Sequence, residues 1–258
     1  MDEILASVHD GVALVTFNRP QARNAFTLRM YDRLHALCGE LAAGGGVRAI
    51  VFRGAGGRAF AAGTEIAEFE TLRSAADSER YERGMEALLA AIEALPVPTI
   101  AAVAGACTGG GFLLACACDL RIAAANARFG LPMARTLGNC LSVRNLARAV
   151  DAFGEPAVRD MLLTARLYDA RSAQALGFVR DVVDDAEQAA ERARQLAAEI
   201  ASYAPLTVRA AKEGLRRRRA GGRDAADADL LDTCYLSDDF REGVDAFVER
   251  REPRWTGR

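Results

Sequence analysis

The sequence predicts an α/β protein with a mostly parallel sheet, and three observations point to that class. Short apolar runs of strand length alternate with longer segments whose apolar residues recur at helical spacing. Glycine-rich stretches separate the two kinds of segment. The chain has 258 residues, of which 51% are hydrophobic and 26% charged, so it can bury a large core without disulfides or a metal. Strands that alternate with helices form βαβ units with right-handed crossovers.

The first predicted elements are a hairpin and a helix. Runs 4–8 and 12–17 are rich in strand-forming residues and flank Asp10-Gly11, a dipeptide that favours a tight hairpin turn. Thr27 is the predicted N-cap of the helix that follows, and three glycines at 44–46 end that helix. Its apolar residues recur at helical spacing, at Met30, Leu34, Leu37, Cys38 and Leu41.

The middle of the chain repeats the order of strand, glycine turn and helix. The predicted elements are a strand at 47–52, a helix at 77–94, a strand at 99–104, a helix at 112–118 opened by glycines 109–111, and a short apolar run at 120–124. From about Asn139 the chain is predicted to be mainly helical, apart from a short strand at 178–183. The last helices have narrow apolar faces, which we expect to pack on the core or on another subunit.

Composition and motifs exclude several classes of protein. Thirty-three basic against thirty-five acidic residues give a net charge of −2, so no overall field favours nucleic acid or an anionic membrane. Residues 100–118 carry no charge, but their glycines predict a buried strand, a turn and a buried helix rather than a membrane span. The six cysteines form neither a C-x-x-C pair nor a zinc pattern, so no metal is expected. The first residues lack the features of a signal peptide, and we expect the protein in the cytoplasm.

Two glycine turns are the candidate sites of chemistry. The stretches 61–66 and 108–112 each follow a strand and open a helix. Free N–H groups and the positive end of the helix dipole attract an oxygen that gains negative charge there. On neighbouring parallel strands, the two turns could each aim one N–H at a single carbonyl oxygen and so form an oxyanion hole. The alternative interpretation is that the glycines only make tight turns, and neither stretch matches a nucleotide-phosphate motif.

Several motifs, in order over nearly the whole chain, resemble the crotonase (enoyl-CoA hydratase/isomerase) superfamily. They are Asn18-Arg19-Pro20 with Asn24-Ala25-Phe26, Ala59-Phe60-Ala61-Ala62-Gly63, Gly109-Gly110-Gly111, Asp119 with Phe129-Gly130-Leu131-Pro132, and the ending Arg241-Glu242-Gly243-Val244-Asp245-Ala246-Phe247. The resemblance implies a ββα spiral core over residues 1–200 that binds acyl-CoA. It also implies a helical oligomerisation region over residues 201–258, in a homotrimer or a dimer of trimers.

The resemblance further implies a coenzyme A thioester as substrate. Its carbonyl oxygen would lie between the N–H groups of Thr64 and Gly110, and the oxyanion hole would stabilise an enolate. No cofactor is implied beyond the coenzyme A moiety. The implied coenzyme A contacts are Ala25, Ala62, Thr64, Glu65, Ile66, Ala67 and Gly110.

Two positions depart from the family pattern. Hydratases of the family use two glutamates, and the resemblance places their counterparts at Leu113 and Met133. Neither side chain can transfer a proton. We therefore expect an enoyl-CoA hydratase/isomerase-like enzyme of lyase or isomerase type whose reaction is not simple hydration. The alternative is a catalytically silent acyl-CoA-binding or scaffold subunit.

The polar candidates for the vacant roles are Glu65, Arg135, Asn139, Ser142 and Cys140. Each has a structural interpretation beside the functional one. Asn139 and Ser142 are both candidate caps of the next helix, and Cys140 is interpreted as a buried, inert thiol. Arg135 either forms an ordinary ion pair or binds a substrate carboxylate, and Glu65 is either structural or catalytic.

A basic run formed by Lys212 and residues 216–219 is the remaining feature of note. Its ordinary interpretation is a solvated helix face. The functional alternatives are contact with coenzyme A phosphates and, much less favoured at this net charge, binding of RNA.

Overall fold

The computed structural model describes residues 2–258, which form two sheets and a shell of helices. The strands are β1 Ile4–His9, β2 Val12–Phe17, β3 Ala49–Gly54, β4 Ala59–Ala61, β5 Thr99–Val103, β6 Ala106–Thr108, β7 Leu120–Ala124, β8 Arg128–Gly130, β9 Tyr168–Asp169 and β10 Asp181–Val183. The first helices are α1 Leu28–Ala43, α2 Ile66–Phe69, α3 Ala75–Glu93, α4 Gly110–Ala117 and α5 Val143–Phe153. The later ones are α6 Glu155–Thr164, α7 Ala170–Ala175, α8 Ala186–Ala201, α9 Pro205–Gly221, α10 Ala228–Tyr235 and α11 Asp238–Glu249.

Local sequence chemistry explains the first elements as predicted. Strands β1 and β2 pair antiparallel around Asp10 and Gly11, which both have positive φ angles, as a two-residue hairpin turn requires. The Thr27 side chain accepts a hydrogen bond from the N–H of Met30 and so caps α1.

The larger sheet has the order β1-β2-β3-β5-β7-β10, and the smaller sheet has the order β4-β6-β8-β9. Successive pairs of strands, β3 with β4, β5 with β6 and β7 with β8, contribute one strand to each sheet. All neighbours are parallel except β1 with β2 and β8 with β9. The repeat of two strands and a helical connection is the ββα spiral that the resemblance implied.

Glycine is required where the chain turns from one sheet to the other. A β carbon on Gly105, between β5 and β6, would lie 2.0 Å from the carbonyl oxygen of Arg58, and the φ angle there is +63°. The side chain of Asn126, at the next corner, accepts from the N–H of Gly105 and donates to the carbonyl of Gly57. These contacts hold the corners together.

The core lies on both faces of the larger sheet. Along β5, Ala101 and Val103 join the main hydrophobic cluster, whereas Ile100 and Ala102 pack with α8 on the other face. This alternation is the two-residue period of a strand buried on both sides.

The sequence prediction is wrong or incomplete in several places. The strand predicted at 47–52 is β3, two residues later, and the one predicted at 178–183 spans only β10. Helix α4 begins at Gly110, inside the glycine run rather than after it. The strands of the smaller sheet were not predicted. The uncharged stretch 100–118 folds into strands and a short helix, and no helix within residues 2–258 has the length and apolar character needed to cross a bilayer.

The C-terminal segment consists of helices α9, α10 and α11. Its apolar side chains are exposed in the single chain, with Phe247 at 86% and Val248 at 75%. Together with Leu231 and Trp255 they line a groove of about 790 Å³ between the three helices.

Candidate active site

The loop after β4 is held by a loop that precedes α1. The N–H of Phe26 donates to the carbonyl of Gly63, and the N–H of Glu65 donates to the carbonyl of Phe26. Phe26 and Thr64 therefore form a parallel bridge. Because successive backbone groups point to opposite sides of an extended segment, the N–H of Thr64 points away from Phe26.

The glycine turn before α4 adjoins the loop that carries Thr64, because the strands that lead into the two, β4 and β6, are paired. A β carbon on Gly110 would lie 3.7 Å from the hydroxyl oxygen of Thr64, and one on Gly109 would lie 3.5 Å from the α carbon of Gly63. Within residues 2–258, neither the N–H of Thr64 nor that of Gly110 donates a backbone hydrogen bond outside the regular elements. The N–H of Gly110 also has no acceptor within α4, because it lies in the first turn of that helix. Two unpaired amides thus belong to adjoining turns.

The first of these loops is tied by buried polar groups. Asn24 is fully buried and has a φ angle of 55°. Its amide donates to the carbonyls of Ala55 and Ala59, and its oxygen accepts from the N–H of Arg19. The Arg19 guanidinium binds Glu65 at 2.9 Å and the carbonyl of Ala25 at 2.6 Å. This pairing favours the structural interpretation of Glu65.

Three hydroxyl groups meet beside the two turns, and sequence reasoning missed two of them. The Thr64 hydroxyl lies 2.8 Å from that of Tyr31 in α1 and 2.7 Å from that of Tyr81 in α3. Burial raises the pKa of Tyr31 well above its usual value, and the charges of Tyr81 and Glu82 add to the effect. Burial raises the pKa of Tyr81 to about 12, although its hydrogen bond with Thr64 lowers it in part. No short-range pattern joins residues 31, 64 and 81, which lie on different elements.

Glu82 is a second polar group that sequence reasoning missed. Its Oε2 atom is buried and has no hydrogen-bond partner among the described residues. Burial raises the pKa of this carboxyl, and the charge of Glu86 acts in the same direction, against the lowering effect of Ser142 and Asn145. The group thus lies between α3 and the start of α5.

Leu113 and Met133 are both apolar and buried. Leu113 lies in α4, one turn after Gly110, and is 0% exposed, and Met133 is 7% exposed. Both belong to the main hydrophobic cluster. Neither position therefore holds a group that can carry a proton.

The candidates on the loop before α5 have different surroundings. Ser142 accepts from the N–H of Asn145 and caps α5, as its structural interpretation predicted. Asn139 and Arg135 are exposed, and Arg135 forms no salt bridge within residues 2–258, contrary to the ion-pair interpretation. Cys140 is exposed, so the prediction of a buried thiol was wrong. The loop lies at the surface, where apolar neighbours do not enclose the thiol.

Most side chains of the basic run form ion pairs with carboxylates of the same chain. Lys212 binds Asp119 at 2.7 Å and is only 10% exposed at its side chain. Arg216 and Arg217 both pair with Glu213. Arg219 binds Glu93 at 3.2 Å. These contacts favour a structural role on one face of α9 over contact with nucleic acid or phosphate.

The segments implied for coenzyme A are accessible in part. Ile66 is 61% exposed and Ala67 is also exposed, whereas Ala25 and Gly110 are buried. The surface next to the two glycine turns is therefore lined by exposed residues at the start of α2.

Comparison with known proteins agrees with the fold. A family model described as enoyl-CoA hydratase/isomerase matches residues 7–258. A probable enoyl-CoA hydratase of Bacillus subtilis is 33% identical over 261 residues and matches 100% of both chains. A short-chain-enoyl-CoA hydratase of Clostridium acetobutylicum is 29% identical and is matched over 98% of this chain and 97% of its own.

Solved structures give the same result. A putative enoyl-CoA hydratase/isomerase family protein from Hyphomonas neptunium has a TM-score of 0.92 at 34% identity, over 99% of this chain and 98% of that chain. An enoyl-CoA hydratase/carnithine racemase from Magnetospirillum magneticum has a TM-score of 0.91 at 34% identity, over 100% and 97% of the two chains. The ββα spiral defines a crotonase-fold protein. The chain belongs to the enoyl-CoA hydratase/isomerase family.

Proposed function

We propose that this protein is an acyl-CoA enzyme that stabilises a thioester enolate with the N–H groups of Thr64 and Gly110. The observation that carries the proposal is the side-by-side position of two glycine turns whose amides have no backbone partner. A thioester oxygen that accepts both hydrogen bonds would gain negative charge as an enolate forms. In a site that excludes water, such donors act more strongly than they do in water.

Coenzyme A is proposed to bind across the start of α2. Ala62, Glu65, Ile66 and Ala67 are partly or fully exposed beside the first turn, and Ala25 is buried. Backbone groups and the exposed Ile66 would make most of these contacts. No cofactor beyond this moiety enters the proposal.

The proposed reaction is of lyase or isomerase type and is not simple enoyl-CoA hydration. Hydration requires one group that activates water and another that donates a proton, and neither Leu113 nor Met133 can do either. The enolate can also form by other routes, and Arg135 and Asn139 are polar groups near Met133 that could contact a substrate.

A catalytically silent acyl-CoA-binding subunit is the second candidate function. The complete burial of Leu113 favours it, because an apolar group fills the space where the family has a proton-transferring one. In this case the protein binds acyl-CoA and forms no product from any acyl group.

The C-terminal helices are proposed to form subunit contacts in a homotrimer or a dimer of trimers. The exposed groove around Phe247 and Val248 supports this assignment, since large exposed apolar patches mark interaction sites. Residues 201–258 would then be the oligomerisation region beside the core of residues 1–200.

One pair of substitutions tests the role of the Gly110 amide. Proline is tolerated at the first position of a helix and lacks the N–H, so Gly110→Pro removes the donor while Gly110→Ala keeps it. Both changes are made in a Tyr31→Phe background, where the space for a β carbon is larger. We expect the proline variant to be slower by about 10²–10³-fold than the alanine variant in any enolate-forming reaction of butyryl-CoA. Equal rates would contradict the proposal.

Binding and hydration assays with crotonyl-CoA distinguish both candidate functions from enoyl-CoA hydration. We expect the protein to bind crotonyl-CoA in calorimetry and to add no water to it at the speed of an ordinary hydratase. Fast hydration would contradict the interpretation of residues 113 and 133. Exchange of the α-hydrogens of butyryl-CoA with solvent would exclude the silent subunit.

A further inference from the structure

The hydroxyl cluster of Tyr31, Thr64 and Tyr81 has one more hydrogen than its internal bonds use. The three oxygens are joined by two contacts, of 2.8 and 2.7 Å. Two of the three hydroxyl hydrogens occupy these contacts. The third remains for a group outside the cluster.

The position of this third hydrogen follows from burial. Tyr31 is 4% exposed, and Thr64 is the one hydrogen-bond partner of its hydroxyl among the described residues. Because an unpaired buried donor is costly, Tyr31 donates to Thr64. The remaining hydrogen is then carried by Thr64 or by Tyr81, both of which are partly exposed.

The cluster touches both turns of the proposed oxyanion hole. Thr64 belongs to the first turn, and the Tyr31 hydroxyl lies 2.6 Å from the place of a β carbon on Gly110 in the second. The free hydrogen is therefore next to the place where, if the proposed function holds, the thioester carbonyl binds. A phenol is a much stronger acid than an aliphatic alcohol, which favours Tyr81 over Thr64 as the group that gives it up.

We propose that Tyr81 is the acid that protonates the enolate, and that Tyr31 and Thr64 are positioning residues that align it. This proposal rests on the proposed function of the site. It assigns the proton transfer, for which Leu113 and Met133 are unsuitable, to a side chain of α3. It implies that the substrates are acyl-CoA thioesters whose products carry at least one α-hydrogen.

The step balances within the site. The O–H bond of Tyr81 breaks and a C–H bond forms at the α carbon, using the electron pair of the enolate double bond. A lone pair on the enolate oxygen then re-forms the C=O bond of the thioester. Tyr81 is left as a phenolate, which accepts the hydrogen bond of Thr64 and then regains a proton from water.

The surroundings of Tyr81 keep it protonated until the transfer. Its ring packs edge-on against Phe69 of α2, with centroids 5.2 Å apart, and faces Tyr31 of α1. Burial raises its pKa to about 12, the hydrogen bond with Thr64 lowers it in part and the Glu82 charge raises it, and Tyr31 is its other titratable neighbour. These are the titratable and charged groups that act on it.

The experiment measures exchange of the α-hydrogens of butyryl-CoA in D₂O by proton NMR, because the reverse of protonation is removal of the same hydrogen by the phenolate. We expect exchange by the unmodified protein to rise about tenfold per pH unit between about pH 7 and 9, after subtraction of a protein-free blank. Tyr81→Phe should be slower by about 100-fold or more. Its affinity for butyryl-CoA in calorimetry should change less than about twofold, since the phenol acts on the proton and not on binding.

The hydroxyl of Thr64 is tested with two variants that keep its amide. Thr64→Val removes the hydroxyl and should slow exchange by about tenfold or more, whereas Thr64→Ser keeps it and should retain most of the rate. Circular dichroism and the melting temperature verify that each variant folds. Exchange by Tyr81→Phe at the unmodified rate would overturn the assignment, as would binding without any exchange by the unmodified protein. Failure of the unmodified protein to bind butyryl-CoA would overturn the proposed function itself.

Discussion

The hydroxyl oxygen of Tyr31 lies 2.6 Å from the position that a β carbon on Gly110 would occupy, and the ring carbon that bears it lies 3.8 Å away. One atom of one side chain therefore limits residue 110 to glycine. The relationship connects α1 with the turn before α4, and it explains why the second turn needs its middle glycine.

Gly110→Ala is expected to destabilise the protein by about 1–3 kcal/mol, because the added carbon must displace a buried phenol. Tyr31→Phe removes the clashing oxygen, so the double variant should regain most of this loss. Urea unfolding of the four proteins measures the coupling. Gly84→Ala is the matched control, since the space around this helical glycine is open, and it should stabilise α3 by about 0.5–1 kcal/mol. Additive effects of the two substitutions would contradict the proposed clash.

Arg148 is expected to be important for the packing of α5 on α3. It is 6% exposed and binds Glu86 at 3.1 Å and Glu93 at 2.8 Å. Although burial lowers the pKa of the guanidinium, the hydrogen bonds of Glu93 and Glu86 raise it above its usual range. Arg148→Ala leaves two half-buried carboxylates without this partner and should cost about 2–4 kcal/mol in urea unfolding.

Arg144 provides the control for Arg148. It lies on the same helix and approaches Glu86 at 3.7 Å, but its side chain is 79% exposed. Arg144→Ala should change the free energy of unfolding by less than about 0.5 kcal/mol, because exposed ion pairs contribute little. Similar losses of unfolding free energy in both variants would contradict the expectation that burial determines how much each ion pair stabilises the protein.

Glu82→Gln is expected to stabilise the protein at neutral pH. The folded state raises the pKa of this carboxyl, so the neutral form is favoured and stability is lost as the pH rises through the folded pKa. A permanently neutral amide avoids this loss, and the melting temperature should rise by about 2 °C at about pH 7.5. The gain should vanish near pH 4, below the unfolded pKa of about 4.3. Glu79→Gln, at an exposed position of α3, should give no such pH-dependent gain, and a gain from Glu82→Gln that persists at pH 4 would contradict the cause.

The C-terminal groove is expected to be a subunit contact. Phe247→Glu places a charge at its rim and should lower the mass measured by light scattering from that of a trimer or hexamer to that of a monomer. Leu163→Glu is the control, because Leu163 is also highly exposed, at 75% against 86% for Phe247, but lies on α6 and does not line the groove. A monomer in the unmodified protein, or dissociation by both variants, would contradict the proposed oligomerisation region.

Elements whose cause is local could be predicted from the sequence. Asp10-Gly11 specifies a hairpin and Thr27 specifies a helix start through contacts within three residues. The strands β4, β6 and β8 have three residues each, too few to display a two-residue period, so they were missed. Their place in the smaller sheet comes from the spiral and not from their own residues.

Likewise, one part of the candidate site could be predicted from the sequence and another part could not. The two glycine turns carry a motif along the chain, and the residues of both turns adjoin in space. The hydroxyl cluster could not be predicted, since Tyr31 and Tyr81 meet Thr64 only after α1 and α3 pack on the first turn. The exposure of Cys140 and the buried carboxyl of Glu82 likewise depend on packing between elements that lie far apart in sequence.

The central claim is that the amides of Thr64 and Gly110 converge on one thioester oxygen, and a crystal structure of the protein with butyryl-CoA tests it most directly. We predict that both nitrogens lie about 2.7–3.1 Å from the thioester oxygen. A thioester bound elsewhere, or an oxygen more than about 4 Å from either nitrogen, would contradict the account.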